Sequence, residues 1–117
     1  MPATLLEFKA DLFRSLASPV RIHILEELRA TGSLTVSELQ RHLEIEASNL
    51  SQHLAVLGAR SVVTAQREGT SVRYTVADLG VFTILDAARA LFESQLEQRR
   101  QLLTKPERLA GARSTKR

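Results

Sequence analysis

A chain of 117 residues, 44% of them hydrophobic, has the substance for one domain with a modest core and is too apolar to be disordered. It holds no cysteine, which excludes disulfides, thiolate metal sites, thiol redox sensing and cysteine nucleophiles. The formal charge of +3 is unevenly placed: residues 1–98 carry nine Lys/Arg against twelve Asp/Glu, whereas residues 99–117 carry seven against Glu107 alone, so contact with a polyanion must rest on local clusters of cations.

The N-terminal run MPATLLEFKADLF carries acids where a secretory signal would have an apolar core, and no apolar run reaches the roughly 20 residues that span a bilayer. The expected location is the cytoplasm, with no membrane contact. Residues 4–16 set Leu5, Phe8, Leu12 and Leu16 on one stripe with Phe13 beside it, which predicts an amphipathic helix. Ser18-Pro19 joins a good N-cap to a residue that fits the first helical position. The second helix so started, from Pro19 to Ala30, turns Ile24, Leu25 and Leu28 inward and stops at Thr31-Gly32.

LTVSELQRHL predicts a third helix from Val36 to Leu43, packing on Leu39 and Leu43. A break at Glu44-Ile45-Glu46 leads to a fourth helix, residues 47–58, anchored by Leu50, Leu54 and Leu57. That spacing turns Ser48, Asn49, Ser51, Gln52 and His53 outward as a face of hydrogen-bonding side chains. Val62 to Gln66 and Ser71 to Val76 are β-prone around a Glu68-Gly69-Thr70 turn. A helical pattern returns from Asp78 to about Leu103, with Asp78 as its cap or first-turn acid. Residues 104–117, with Pro106 and Gly111, are expected to be a disordered basic tail beyond a domain over 1–103. The fold class is mostly α with a small β-hairpin (α+β), in the order α-α-α-α-β-β-α.

All four phenylalanines, Phe8, Phe13, Phe82 and Phe92, lie in the first and last helices. The last helix carries Leu79, Val81, Phe82, Ile84, Leu85, Leu91, Phe92 and Leu96 around too much of its girth for one small core. Leu5, Phe8, Leu12, Phe82, Leu85, Phe92 and Leu96 are therefore read as a dimer interface, against the alternative of a wholly intramolecular core.

A helix with an outward polar face, followed at once by a basic hairpin, is what a winged helix-turn-helix needs to read DNA. The runs LASPVRIHILEEL at 16–28, TVSELQRHLEIEASNLSQHLAVL at 35–57 and VVTAQREGTSVRYTV at 62–76, in that order and spacing, resemble the ArsR family of winged-helix repressors. The resemblance covers residues 5–103. It implies a homodimer that binds double-stranded operator DNA as an inverted repeat.

The resemblance places Ser48, Asn49, Ser51 and Gln52 on the base-facing surface of the recognition helix, where Asn and Gln can pair with adenine. His53 is to touch a phosphate or to pack beside Leu54. Arg41 and His42 fall where family members approach the phosphate backbone, although the helix dipole alone favours cations there. Arg67 and Arg73, with Thr70 and Ser71 between them, are expected to meet DNA from the hairpin; the bland alternative is a charged wing in which Glu68 offsets Arg67. Tyr74 is expected under the wing and His23 in a structural role. Glu44 and Glu46 stand just before the recognition helix, where carboxylates help the helix dipole and repel phosphates. A family member usually has a small polar residue in place of Glu46. The two acids either accept from cytosine amino groups or point away and only cap the helix. Arg99, Arg100, Lys105, Arg108, Arg113, Lys116 and Arg117 form a solubilising tail or an arm that adds sequence-independent affinity.

Two metal sites known in the family have no counterpart. The cysteines of an LCVCDL-like run are replaced by Thr35 and Ser37, and a D-x-H-x10-H-x2-H pattern meets Asp78, Gly80, Leu91 and Ser94, of which Asp78 alone could ligate. No metal or cofactor is expected; an organic small-molecule effector, an unusual ion or no effector at all remain as candidate signals, with a cleft between the first and last helices as the expected pocket. An enzyme is not expected, since no Gly-rich phosphate loop or paired-carboxylate motif is present. The competing function is a winged-helix protein-interaction module without specific DNA binding, suggested by the acidity of residues 1–98 and by Glu44 and Glu46.

Overall fold

The computed structural model describes residues 4–104. Of the basic tail expected over 104–117, Thr104 ends the last helix and 105–117 lie outside the described residues. Helix α1 spans Leu5–Leu16 and is capped by Thr4, whose hydroxyl accepts from the Glu7 N–H at 3.1 Å. Helix α2 spans Pro19–Thr31. Ser18 caps it by accepting from the Arg21 N–H, and Gly32, at φ 91°, closes it by donating to the Leu28 carbonyl.

Strand β1 is only Leu34–Thr35, and helix α3 follows directly over Val36–Leu43. Thr35 and Glu38 form a reciprocal capping box: the Glu38 N–H donates to Thr35 Oγ1 at 3.2 Å and the Thr35 N–H to Glu38 Oε1 at 2.9 Å. That backbone bond is the largest reason the Glu38 carboxyl titrates below its ordinary range. Helix α4 spans Ala47–Ala59, strands β2 and β3 span Val63–Glu68 and Ser71–Val76, and helix α5 runs Gly80–Thr104.

The sheet has the order β1-β3-β2, antiparallel throughout. The sequence pattern predicts only the hairpin; the third strand arises because Leu34 and Thr35 pair with Tyr74 and Arg73. The element order is therefore α-α-β-α-α-β-β-α. Strand β2 runs on to Glu68, which leaves Gly69 and Thr70 as a two-residue loop with positive φ at Gly69 only. Asp78 stands two residues ahead of α5, and the first turn of that helix holds no acid.

The residues divide into two compact units, one ending at Leu79 and the other holding α5. In the first, Ile24, Leu25 and Leu28 of α2, Leu39 of α3 and Leu50 and Leu57 of α4 are almost wholly buried, with Leu34, Leu54, Val62 and Val63 close behind. Leucines at this spacing hold three short helices together, since fully burying each stabilises by about 1.5–3 kcal/mol. No buried side-chain nitrogen or oxygen among the described residues lacks a partner. Helix α5 buries Val81 and Leu85 and exposes Leu91, Phe92, Leu96, Leu102 and Leu103.

Candidate nucleic-acid interface

Burial of Leu50, Leu54 and Leu57 fixes the rotation of α4, and its opposite face presents Ser48, Asn49, Ser51 and Gln52 to solvent. None of these four side chains makes a hydrogen bond to another described residue, so their donors and acceptors are open to a ligand. Glu46 occupies the N-cap position without a side-chain cap bond, which leaves the leading amides of the helix open as well. His53 departs from this face. Its ring is half-buried, and Nδ1 lies 3.0 Å from Nη1 of Arg21 on α2.

Arg41, in the last turn of α3, is exposed and has no ion pair among the described residues. Beside it, an open groove of about 580 Å³ is lined by Ser37, Gln40, Arg41, Glu44, Ile45 and Glu46. Glu44 and Glu46 thus share one groove with the cation expected to meet phosphate. Glu44 holds a left-handed conformation, φ 53° and ψ 55°, and its N–H donates to the Gln40 carbonyl at 2.9 Å.

His42, expected at the phosphate backbone with Arg41, instead bonds Glu27 through Nδ1 at 2.8 Å, tying α3 to α2. His23 stands 3.4 Å from the other Glu27 oxygen. Principally through the His42 bond, the Glu27 carboxyl is held below its ordinary range. The described residues hold no group of three or more His, Cys, Asp or Glu placed to bind a metal ion.

The hairpin register separates the two wing arginines. Arg67 pairs across from Val72, on the face that also carries Val63 and Tyr74, whereas Arg73 pairs across from Gln66 on the other face. Arg73 donates through Nε to Glu68, at 3.1 Å to Oε1 and 3.0 Å to Oε2, and through Nη1 to Ser33 Oγ at 3.0 Å. Glu68 therefore offsets Arg73, not Arg67. Arg67 and Thr70 are exposed at the wing tip, and Arg67 has no ion pair among the described residues. Tyr74 is half-buried beside Leu34 and Ala65.

The residues read as a dimer interface fall into three groups. Leu5, Phe8, Phe92 and Leu96 are exposed, with Phe8 at 48% and Phe92 at 61%; Leu12 and Phe82 are half-buried; Leu85, at 8%, is buried. Sequence reasoning missed Arg21, Glu27 and Ser33, each of which holds a candidate site residue. The only local sign is at Glu27, which stands four residues after His23, while His42 and His53 come from other helices.

A helix-turn-helix domain model matches residues 16–64. The chain is 38% identical over 99 residues to Rv0081, an uncharacterized HTH-type transcriptional regulator of Mycobacterium tuberculosis, covering 81% of this chain and 83% of that one. The crystal structure of Rv0081 matches with a TM-score of 0.73, over 84% of this chain and 98% of that chain. The HTH-type transcriptional repressor SmtB of the same organism is 42% identical over 77 residues, covering 66% of this chain and 56% of SmtB. A solution structure of the homodimeric winged helix-turn-helix DNA-binding domain Mb0332 of Mycobacterium bovis, a candidate ArsR-family regulator, matches with a TM-score of 0.71 at 26% identity, over 84% of this chain and 95% of that chain.

Proposed function

Because the chain belongs to the ArsR family of winged helix-turn-helix transcriptional regulators, we propose that it acts as a homodimeric repressor that binds an inverted-repeat operator. The observation that carries this reading is α4: one face is locked into the core by three leucines, and the other offers four polar side chains with no internal partner. In the proposed complex Ser48, Asn49, Ser51 and Gln52 meet base edges in the major groove. Arg41 and the leading amides of α4 meet phosphates, and Arg67 and Thr70 do so from the wing.

The exposed apolar residues of α1 and α5, chiefly Leu5, Phe8, Phe92 and Leu96, support a homodimer in which a second copy covers them. A small-molecule effector would act on such a dimer by binding one arrangement of its reading units better than the other. No described helix is long and apolar enough to cross a membrane.

Selection from a random duplex library, followed by fluorescence anisotropy across a salt series, tests the proposal. An enriched inverted repeat whose affinity falls steeply with salt is the expected outcome. Absence of enrichment at every salt concentration would overturn it in favour of a protein-interaction module.

A further inference from the structure

Arg21 sits half-buried near the start of α2 and reaches two other helices. Its Nε donates to the Ser15 carbonyl at 2.6 Å and its Nη2 to the Arg14 carbonyl at 3.3 Å, both in the last turn of α1. The Arg14 carbonyl also accepts from the Ala17 N–H at 3.2 Å, whereas that of Ser15 has no other backbone donor among the described residues, and a cation suits the negative end of the helix dipole. The remaining arm, Nη1, lies 3.0 Å from His53 Nδ1 on α4. One guanidinium thus joins the end of α1 to the middle of the helix proposed to read DNA.

The chemistry of this contact sets what the imidazole must offer. A guanidinium has donors only, so the hydrogen bond forms only when Nδ1 supplies the lone pair and the ring proton sits on Nε2. A second proton would put an N–H and a positive charge on Nδ1, facing an N–H and a positive charge on Arg21. Both effects are repulsive.

No neighbouring acid offsets that repulsion. On α1, Asp11 pairs with Arg14 at 2.7 Å and with Arg60, just past the end of α4, at 3.4 Å. On α2, Glu27 is held by His23 and His42, and Glu26 makes no ion pair among the described residues. Strand β2 brings Arg67 and Glu68, and Glu68 is engaged with Arg73. Among the described residues, neither Arg21 nor His53 has a carboxylate partner.

We propose that Arg21 and His53 form a proton-sensitive latch that holds α4 against the end of α1, so that acidification loosens the reading helix and weakens DNA binding. The proposal rests on the DNA-reading function above. Arg21 is here a positioning residue that acts through His53. The three buried leucines keep α4 folded when the latch opens, so the latch governs how the helix is set, not whether it forms.

Two measurements on the full chain test it. Ring ¹⁵N shifts of His53 near neutral pH should show a bare Nδ1 that accepts a hydrogen bond and a protonated Nε2, and R21Q should move the Nδ1 shift toward that of an unbonded imine nitrogen. An Nδ1–H tautomer in the unaltered protein, or an Nδ1 shift unmoved by R21Q, would overturn the latch. Anisotropy at fixed salt on the selected duplex, from about pH 8 to about pH 5.5, compares each variant with its own affinity at the upper pH. The unaltered protein should lose on the order of tenfold. H53N, which keeps an acceptor near the Nδ1 position and cannot titrate, should lose far less. Equal pH slopes for the two would overturn the proposal. Failure to bind any duplex at any pH would instead sink the DNA-reading function, and the tautomer measurement would then decide the latch alone.

Discussion

Arg73 closes on Glu68 with both carboxylate oxygens within 3.1 Å of its Nε, while Arg67, adjacent to Glu68 in sequence, points to the other face of the wing. The cause is the two-residue periodicity of a strand. Glu68 pairs with Ser71 and Gln66 with Arg73, which makes Glu68 and Arg73 diagonal neighbours on one face.

Arg67→Ala should therefore weaken binding to all duplexes about equally and reduce the salt slope by roughly one. Arg73→Ala should leave that slope unchanged. Its effect should appear in stability, as a loss of at most about 1 kcal/mol for a partly exposed pair. An anisotropy salt series and urea unfolding on the same two variants separate these outcomes.

Asn49 and Gln52 should behave differently from the wing cations. Alanine at either position should cost about 1–3 kcal/mol of discrimination at the base pair it reads, with little change on non-specific DNA. Affinities for a panel of single-base operator variants check this. A uniform loss across the panel would place the residue on phosphate instead.

Glu44 carries a left-handed backbone and a negative charge in the same groove as Arg41. The conformation costs a non-glycine residue about 1–2 kcal/mol, and glycine gives back part of the gain through the entropy of its unfolded chain. Glu44→Gly should thus stabilise the fold by a net ~0.5–1 kcal/mol and tighten DNA binding. Glu44→Ala should tighten binding without the stability gain. Urea midpoints and anisotropy on the pair resolve the two effects.

Phe8 and Phe92 are exposed in the single chain, so a charge at either should leave the chain folded while opposing self-association. Phe92→Glu and Phe8→Glu should sediment as monomers with unchanged helical circular dichroism, and should lose most of their affinity for an inverted repeat. Variants that remain dimers would move the interface elsewhere.

Glu27, held below its ordinary carboxyl range chiefly by the His42 bond, should mark the acid limb of stability. Its folded value lies below its unfolded one, so the stabilisation is complete above the ordinary value of 4.5 and is lost as pH falls through the lowered folded value. Glu27→Gln should be less stable than the unaltered protein near neutrality, and the difference should shrink as pH falls below 4.5. Urea midpoints across pH measure it.

The helices are legible in the sequence because their signals are local. Ser18 with Pro19 starts α2, Gly32 ends it, and the spacing of Leu50, Leu54 and Leu57 orients α4, all within a few residues of chain. The same spacing turns Ser48, Asn49, Ser51 and Gln52 outward through the helical period alone. Strand β1 leaves no such trace: two residues carry no period, and Leu34 and Thr35 become a strand only because β3 lies alongside.

By itself, then, the sequence determined the helices to within a few residues at their ends, the outward polar face of α4, the hairpin and the family, since these follow from periodicity, caps and turns acting over short stretches. Only the tertiary structure decided the fate of the charged and titratable groups. Arg73 binds Ser33 across 40 positions, Arg21 meets His53 across 32 and His42 meets Glu27 across 15. A side chain with several donors takes whichever acceptor the packed backbone brings within about 3 Å, and that choice is made by register and helix packing.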